Sequence, residues 1–133
     1  MHIFTKTDCW ILFSVGFSDN GSTLKSIIST GDMLNHAVAT KDELETSLNR
    51  LLHNDYIRYQ DDKFYTTAKA KRFYNIRKRK WKSEGFIDEW LRISKSFSKQ
   101  HFSSSENKEI IITDEDYNKA LSEYRQTFSR FFK

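Results

Sequence analysis

The sequence predicts a mostly α-helical protein with one small β-hairpin, and three observations support this fold class. The 133 residues include no proline and only four glycines, so the chain has few turn formers and favours long helices. Apolar side chains recur at helical spacing in both halves of the chain. One stretch, residues 56–67, instead alternates apolar and polar side chains around Asp61-Asp62. With 38% apolar and 15% aromatic residues, the chain can build a real core.

Two helices are expected before residue 35. The first covers residues 5–15, with Thr5 or Thr7 as its cap, and the second covers residues 23–34. Residues 18–22, SDNGS, form the turn between them. Gly31 lies inside the second helix, where it weakens the helix or lets another backbone approach closely.

A third helix is expected over residues 40–53. Thr40 and Glu43 have the spacing of a capping box, in which each side chain serves the other residue's backbone amide. Asn54 is a candidate left-handed cap at the other end. The leucines of this helix share one face, which predicts that they point into the core: Leu44, Leu48, Leu51 and Leu52.

The hairpin has a predicted register. A two-residue loop at Asp61-Asp62 places Tyr59 opposite Phe64 and Ile57 opposite Thr66, so that all four share one face. Asp-Asp is a poorer turn pair than Asn-Gly, which leaves a longer loop as the alternative.

The second half of the chain is expected to be helical. Helices are predicted over residues 67–82 and 86–97, followed by a polar, mobile loop at 98–108 and a short apolar segment at 109–112. Thr113 caps a last helix, which opens with three acidic residues. Large side chains repeat along one seam of it: Tyr117, Leu121, Tyr124, Phe128 and Phe131.

The order of three helices and a hairpin resembles a winged helix-turn-helix. The segment ELETSLNRLLHNDYIRYQDDKFYTTAKAK resembles the recognition helix and the two wing strands of bacterial winged-helix regulators, and LNRLLHNDYI matches their L-x-x-L-x-x-x-x-x-I pattern. The resemblance covers residues 5–72 and implies a winged helix at 1–68 with a C-terminal helical extension at 69–133.

This resemblance implies a cytosolic DNA-binding transcriptional regulator with double-stranded DNA as its partner. With the leucines inward, the residues of the third helix expected to face out are Lys41, Asp42, Glu45, Thr46, Asn49 and Arg50. The third helix would enter the major groove, where Asn49 would pair with adenine and Arg50 or Lys41 would reach guanine or phosphate. Residues 69–82 hold eight Lys/Arg and no acid, and would anchor the phosphates. The predicted DNA-binding residues are Lys41, Thr46, Asn49, Arg50, Arg58, Lys63, Lys69, Lys71, Arg72, Lys78, Arg79 and Lys82.

Acidic residues argue against base reading. Asp42, Glu43 and Glu45 open the supposed reading helix, and Asp61-Asp62 lies at the tip of the wing. Carboxylates facing phosphates cost of order 1 kcal/mol each. The alternative is therefore a winged-helix module that binds a protein through the acidic helix or the aromatic seam, without DNA.

The seam allows two interpretations. It packs within the chain, or it pairs with a second copy to form a homodimer. A third hypothesis is a regulator with a small-molecule pocket between the halves, lined by Trp81, Trp90 and Tyr124.

Other function classes lack sequence support. No phosphate loop, nucleophile elbow or zincin motif occurs, so we expect no enzyme and no cofactor. The four histidines and the single cysteine, Cys9, lack metal-ligand spacing, and Cys9 is expected to be a buried thiol. No apolar run is long enough to cross a bilayer, and a reducing cytoplasm is the expected compartment.

Overall fold

The computed structural model describes residues 2–16, 18, 20–72, 101–102 and 109–131, with the backbone alone at 2, 101–102 and 128–131. In this part of the chain the helices are α1 (Lys6–Gly16), α2 (Leu24–Asn35), α3 (Lys41–His53) and α4 (Asp114–Phe131). The strands are β1 (His2–Ile3), β2 (Ile57–Gln60), β3 (Lys63–Thr66) and β4 (His101–Phe102). Residues 68–72 are also helical. The predicted fold class, mostly helical with one small hairpin, is confirmed.

Several predicted segments lie partly or wholly outside the described residues. These are the helix at 67–82 beyond residue 72, the helix at 86–97, and most of the polar segment 98–108. Two residues of that last segment were expected in a loop but form β4, which pairs antiparallel with β1. The proposed division at residue 68 stays a prediction.

Local capping explains where the first three helices begin. Thr5 Oγ1 accepts from the Asp8 amide while Asp8 Oδ2 accepts from the Thr5 amide, at 3.1 and 2.8 Å. Thr23 and Ser26 form the same reciprocal pair before α2, and Thr40 and Glu43 form it before α3. Each pair satisfies amides that have no partner inside the helix. The predicted capping box at Thr40 is therefore confirmed.

The end of α3 differs from the sequence prediction. Asn54 has φ −109°, so it is not the left-handed cap, whereas Asp55 has φ 63°. The Asn54 side chain instead donates to the Arg50 carbonyl at 2.8 Å. The left-handed residue is one position later because this hydrogen bond keeps Asn54 against the last turn.

The hairpin has the predicted register, with Tyr59 opposite Phe64 and Ile57 opposite Thr66. Asp61 and Asp62 both have positive φ, 53° and 61°, which is the signature of a two-residue type I′ turn. Ser22 exchanges both backbone hydrogen bonds with Phe64, each 2.8 Å long. The link between α1 and α2 thus joins the hairpin through a one-residue β-bridge. The order of helices and hairpin is compatible with a winged-helix layout.

The core lies between α1, α2, α3 and the hairpin. Leu44, Leu48 and Leu51 are fully buried, and Leu52 packs at the edge, which confirms the predicted inward face of α3. Cys9 is buried, as expected. Gly31 allows the close approach of a side chain rather than a backbone, because the Trp10 indole donates to its carbonyl at 2.8 Å.

Helix α4 packs on α2 within the same chain. The Tyr117 hydroxyl donates to the Ala39 carbonyl at 2.6 Å, and the Tyr124 hydroxyl donates to Asp32. Tyr124 is buried, and Tyr117 and Leu121 pack against the core. Intramolecular packing therefore accounts for these three seam residues, while the side chains of Phe128 and Phe131 lie outside the described atoms. A homodimer stays a prediction.

Candidate nucleic-acid interface

Helix α3 has four sides, of which three contact other parts of the protein and one is exposed. The leucines fill the core, while Ser47 and Arg50 contact Asp8 on α1. Asp42 and Thr46 lie on the exposed side. The fourth side is a ridge in which every fourth residue contacts residues 109–114 of the same chain, a segment that we call the strap. The ridge consists of Lys41, Glu45, Asn49 and His53.

The ridge and the strap run antiparallel, in register. His53 Nε2 lies 3.6 Å from Glu109 Oε1 at one end, and Lys41 Nζ lies 2.9 Å from Asp114 Oδ1 at the other. Between them, Glu45 Oε2 accepts from the Ile112 amide at 2.9 Å. The hydrogen bond to Asp114 raises the pKa of the Lys41 ammonium above its ordinary value.

Asn49 makes the central contact of this ridge. Its side-chain amide donates to the Ile110 carbonyl and accepts from the Ile110 amide, both at 2.8 Å. The residue is only 6% exposed. The expectation that Asn49 faces outward is wrong, because the strap covers the side of α3 on which it lies.

Arg50 also points back into the protein. Its Nη1 lies 2.8 Å from Asp8 Oδ2, and 25% of its side chain is exposed. Asp8 is fully buried, and it also accepts from the Ser47 hydroxyl at 2.8 Å. The Arg50 guanidinium therefore joins α3 to α1, contrary to the expectation that it faces outward.

The predicted cations of the hairpin and the residues after it are exposed. Arg58 lies 4.8 Å from the centre of the Tyr65 ring, and Lys69 lies 4.4 Å from that of Tyr56. Lys69 also donates to the Asn54 carbonyl at 2.9 Å, at the end of α3. Five such side chains make no ion pair with another described residue: Arg58, Lys63, Lys69, Lys71 and Arg72. Lys78, Arg79 and Lys82 lie outside the described residues.

An open groove lies between the hairpin, the start of α2 and α4. It encloses about 460 Å³, and Tyr59, Phe64 and the three isoleucines of the strap contribute apolar walls. Tyr59 is 46% exposed and Ile111 is 72% exposed. Burial, with a smaller contribution from its hydrogen bond to Asp62, raises the pKa of Tyr59. Tyr124 does not line this groove, and the other two residues of the hypothesised pocket, Trp81 and Trp90, are not among the described residues.

Sequence reasoning missed the strap. The available sequence signals were the run of three isoleucines, Ile110 to Ile112, and the polar ridge of α3. The structure adds that Ile110 and Ile112 are buried and Ile111 is exposed. Both signals are short, and the strap is some 60 residues from Asn49 along the chain. A helical wheel shows which residues share a face of the helix but not which distant segment covers that face. The ridge was therefore expected to face solvent.

Comparisons with known proteins add no functional assignment. Neither the protein-family models, the curated proteins nor the solved structures contain a significant match to this chain. Among the described residues, no helix has the length and hydropathy needed to cross a membrane. The same residues contain no group of three or more His, Cys, Asp or Glu placed to hold a metal ion.

Proposed function

We propose that the protein is a winged helix-turn-helix DNA-binding protein that acts as a transcriptional regulator. The observation that carries the proposal is the set of five exposed cations on and just after the hairpin, which have no ion-pair partner among the described residues. Residues 58–72 contain these five cations and two acidic residues, Asp61 and Asp62, which form the turn of the hairpin. The order of helices and hairpin, with the β-bridge between Ser22 and Phe64, also supports this proposal.

Phosphate contacts would dominate the binding. Arg58 and Lys63 would steady the hairpin on the DNA backbone, and Lys69, Lys71 and Arg72 would extend the contact from the end of α3. Thr46 is exposed on α3, and its hydroxyl would face a groove of the DNA. The acidic Asp42 lies beside it. Affinity would therefore depend more on salt than on sequence.

A salt titration tests this function. Fluorescence anisotropy with a labelled duplex should give an affinity that falls linearly on logarithmic axes as salt rises. Lys71→Ala with Arg72→Ala should reduce the slope by about 0.9 for each phosphate that is no longer neutralised. Lys78→Ala with Arg79→Ala extends the test to the rest of residues 69–82, the segment predicted to anchor the phosphates.

The matched control is Lys6→Ala, which removes one exposed cation from α1. Its slope should equal that of the unaltered protein. If no duplex is bound even at low salt, or if all the variants share one slope, DNA binding through these cations is refuted.

A second candidate is a module that binds a protein partner without DNA. The groove beside the hairpin favours it, because Tyr59 and Ile111 leave large apolar surfaces exposed there. Lys25, Lys119, Asp116 and Glu123 around the groove would orient an extended peptide of mixed charge.

A displayed library of random peptides would test this candidate. Sequences that bind the protein should lose binding to Ile111→Asp, which places a charge in the groove at an exposed position. Met33→Asp is the matched control, because Met33 is 54% exposed on α2 and does not line the groove. Enriched peptides that bind both variants equally would contradict a site in this groove.

A further inference from the structure

The strap contacts α3 through atoms that a DNA-reading helix would need. The contacts recur at every fourth residue, so they follow the single ridge defined above from His53 to Lys41. Ile110 and Ile112 are buried on either side of the exposed Ile111, which fixes the strap in an extended conformation with alternating sides. The strap is therefore held by both polar contacts and apolar packing.

The two hydrogen bonds between Asn49 and Ile110 match those with which an asparagine recognises adenine. An asparagine reads adenine by donating to one ring nitrogen while accepting from the neighbouring amino group. Asn49 makes the same pair of hydrogen bonds to the carbonyl and the amide of Ile110. One side-chain amide cannot serve both partners, so the strap and a base edge exclude each other at this residue.

The two ends of the strap are weaker than its centre. Asp114 and Glu109 are largely exposed, so solvent and salt screen their contacts with Lys41 and His53. The buried isoleucines and the Asn49 pair resist release. A state with the strap released would be a minor one, and any binding that needs this state is weakened in proportion to its population.

We propose that the strap, residues 109–114, is an intramolecular competitor that occupies the base-reading ridge of α3 and must leave it before Asn49 contacts a base. This inference rests on the proposed DNA-binding function. With the strap in place, the protein binds duplexes through phosphates alone and with little sequence preference. Release of the strap adds sequence-dependent binding.

The test compares strap variants on a pool of randomised duplexes. Ile110→Ala removes apolar anchoring from the strap and leaves α3 intact, while Ile111→Ala makes the same kind of truncation at an exposed position. Ile110→Ala should bind its selected duplex about tenfold more tightly than the unaltered protein, the ratio expected if the strap weakens by about 1.4 kcal/mol. Ile111→Ala should match the unaltered protein.

Addition of Asn49→Ala to Ile110→Ala identifies the group responsible. The double variant should lose the gain in affinity and return to the low sequence preference of the unaltered protein. A double variant that keeps the full gain would overturn the role of Asn49 as the masked reader. Circular dichroism at the assay temperature shows whether each variant is folded.

Hydrogen exchange in the unaltered protein gives a second measurement that needs no substitution. The amides of Ile110 and Ile112 donate to α3 side chains, so both should exchange slowly in the free protein. Saturation with the selected duplex should speed the exchange of both. Protection that persists in the complex would overturn the inference.

The two proposals fail differently. If neither the unaltered protein nor Ile110→Ala binds any duplex at low salt, the DNA-binding function is refuted, and the competition with it. If both bind with the same affinity and the same low sequence preference, DNA binding stands and the strap is only a structural element.

Discussion

At the scale of single residues, Tyr124 shows how burial and one hydrogen bond act together. Burial, and then the hydrogen bond that its hydroxyl donates to Asp32, raise the pKa of Tyr124 to about 12 from an ordinary value of 10.0. The folded protein thus favours the neutral phenol. This contribution to stability is fully present below about pH 10 and is lost as the pH rises toward about 12.

Tyr124→Phe should therefore change the alkaline unfolding of the protein. At neutral pH we expect the free energy of unfolding to fall by about 1 kcal/mol, because Asp32 loses a hydrogen-bond donor. Between about pH 10 and 12 the variant should lose stability less steeply. Burial also raises the pKa of Tyr56, Tyr59 and Tyr117, so part of the alkaline slope should persist. Urea denaturation across this range is the measurement, and identical slopes would contradict the expectation.

At the scale of elements, Asp8 joins two helices. It caps α1 through the Thr5 amide and contacts α3 through Ser47 and Arg50, all at 2.8 Å. A fully buried carboxylate is tolerated when donors and a cation surround it. The joint fixes α3 against α1, and it explains why Arg50 is not available on the outer side of α3.

Asp8→Asn should loosen this joint. The substitution keeps the size of the side chain but removes the charge opposite Arg50, and we expect a loss of about 3 kcal/mol in the free energy of unfolding. Chemical denaturation measures it. The control is Asp42→Asn, an exposed position on α3, which should change stability by less than about 0.5 kcal/mol. A variant at Asp8 as stable as the control would show that the buried ion pair does not support the fold.

The features predicted correctly from the sequence are those that depend on residues close together along the chain. The Thr40 capping box, the hairpin register and the buried leucines of α3 were predicted because the relevant contacts are local or follow one periodicity. The left-handed conformation predicted at Asn54 occurs one position later, at Asp55, because the Asn54 side chain donates to the Arg50 carbonyl. The outward orientation predicted for Asn49 was wrong for a different reason, because its partner Ile110 is distant along the chain.

At the scale of the whole molecule, residues 109–114 determine which side chains of α3 remain exposed, because they cover the ridge that contains Asn49. The exposed hairpin cations could be predicted from composition and register. The covered ridge could not, because nothing in the periodicity of α3 indicates that residues 109–114 lie along it. The roles of Thr46, Arg58, Lys63, Lys69, Lys71 and Arg72 in DNA binding stay predictions, and the salt titration tests the last two directly.

The Ala39 carbonyl, which accepts from Tyr117, lies in the short connection between α2 and α3. A fragment ending at residue 72 would lack Tyr117 and the isoleucines of the strap, so it would expose an apolar surface along α3. It would also lose the two hydrogen bonds that Asn49 makes to Ile110. Such a fragment would be prone to aggregate and to bind polymers indiscriminately. Its behaviour in a DNA assay would describe the cut rather than the protein.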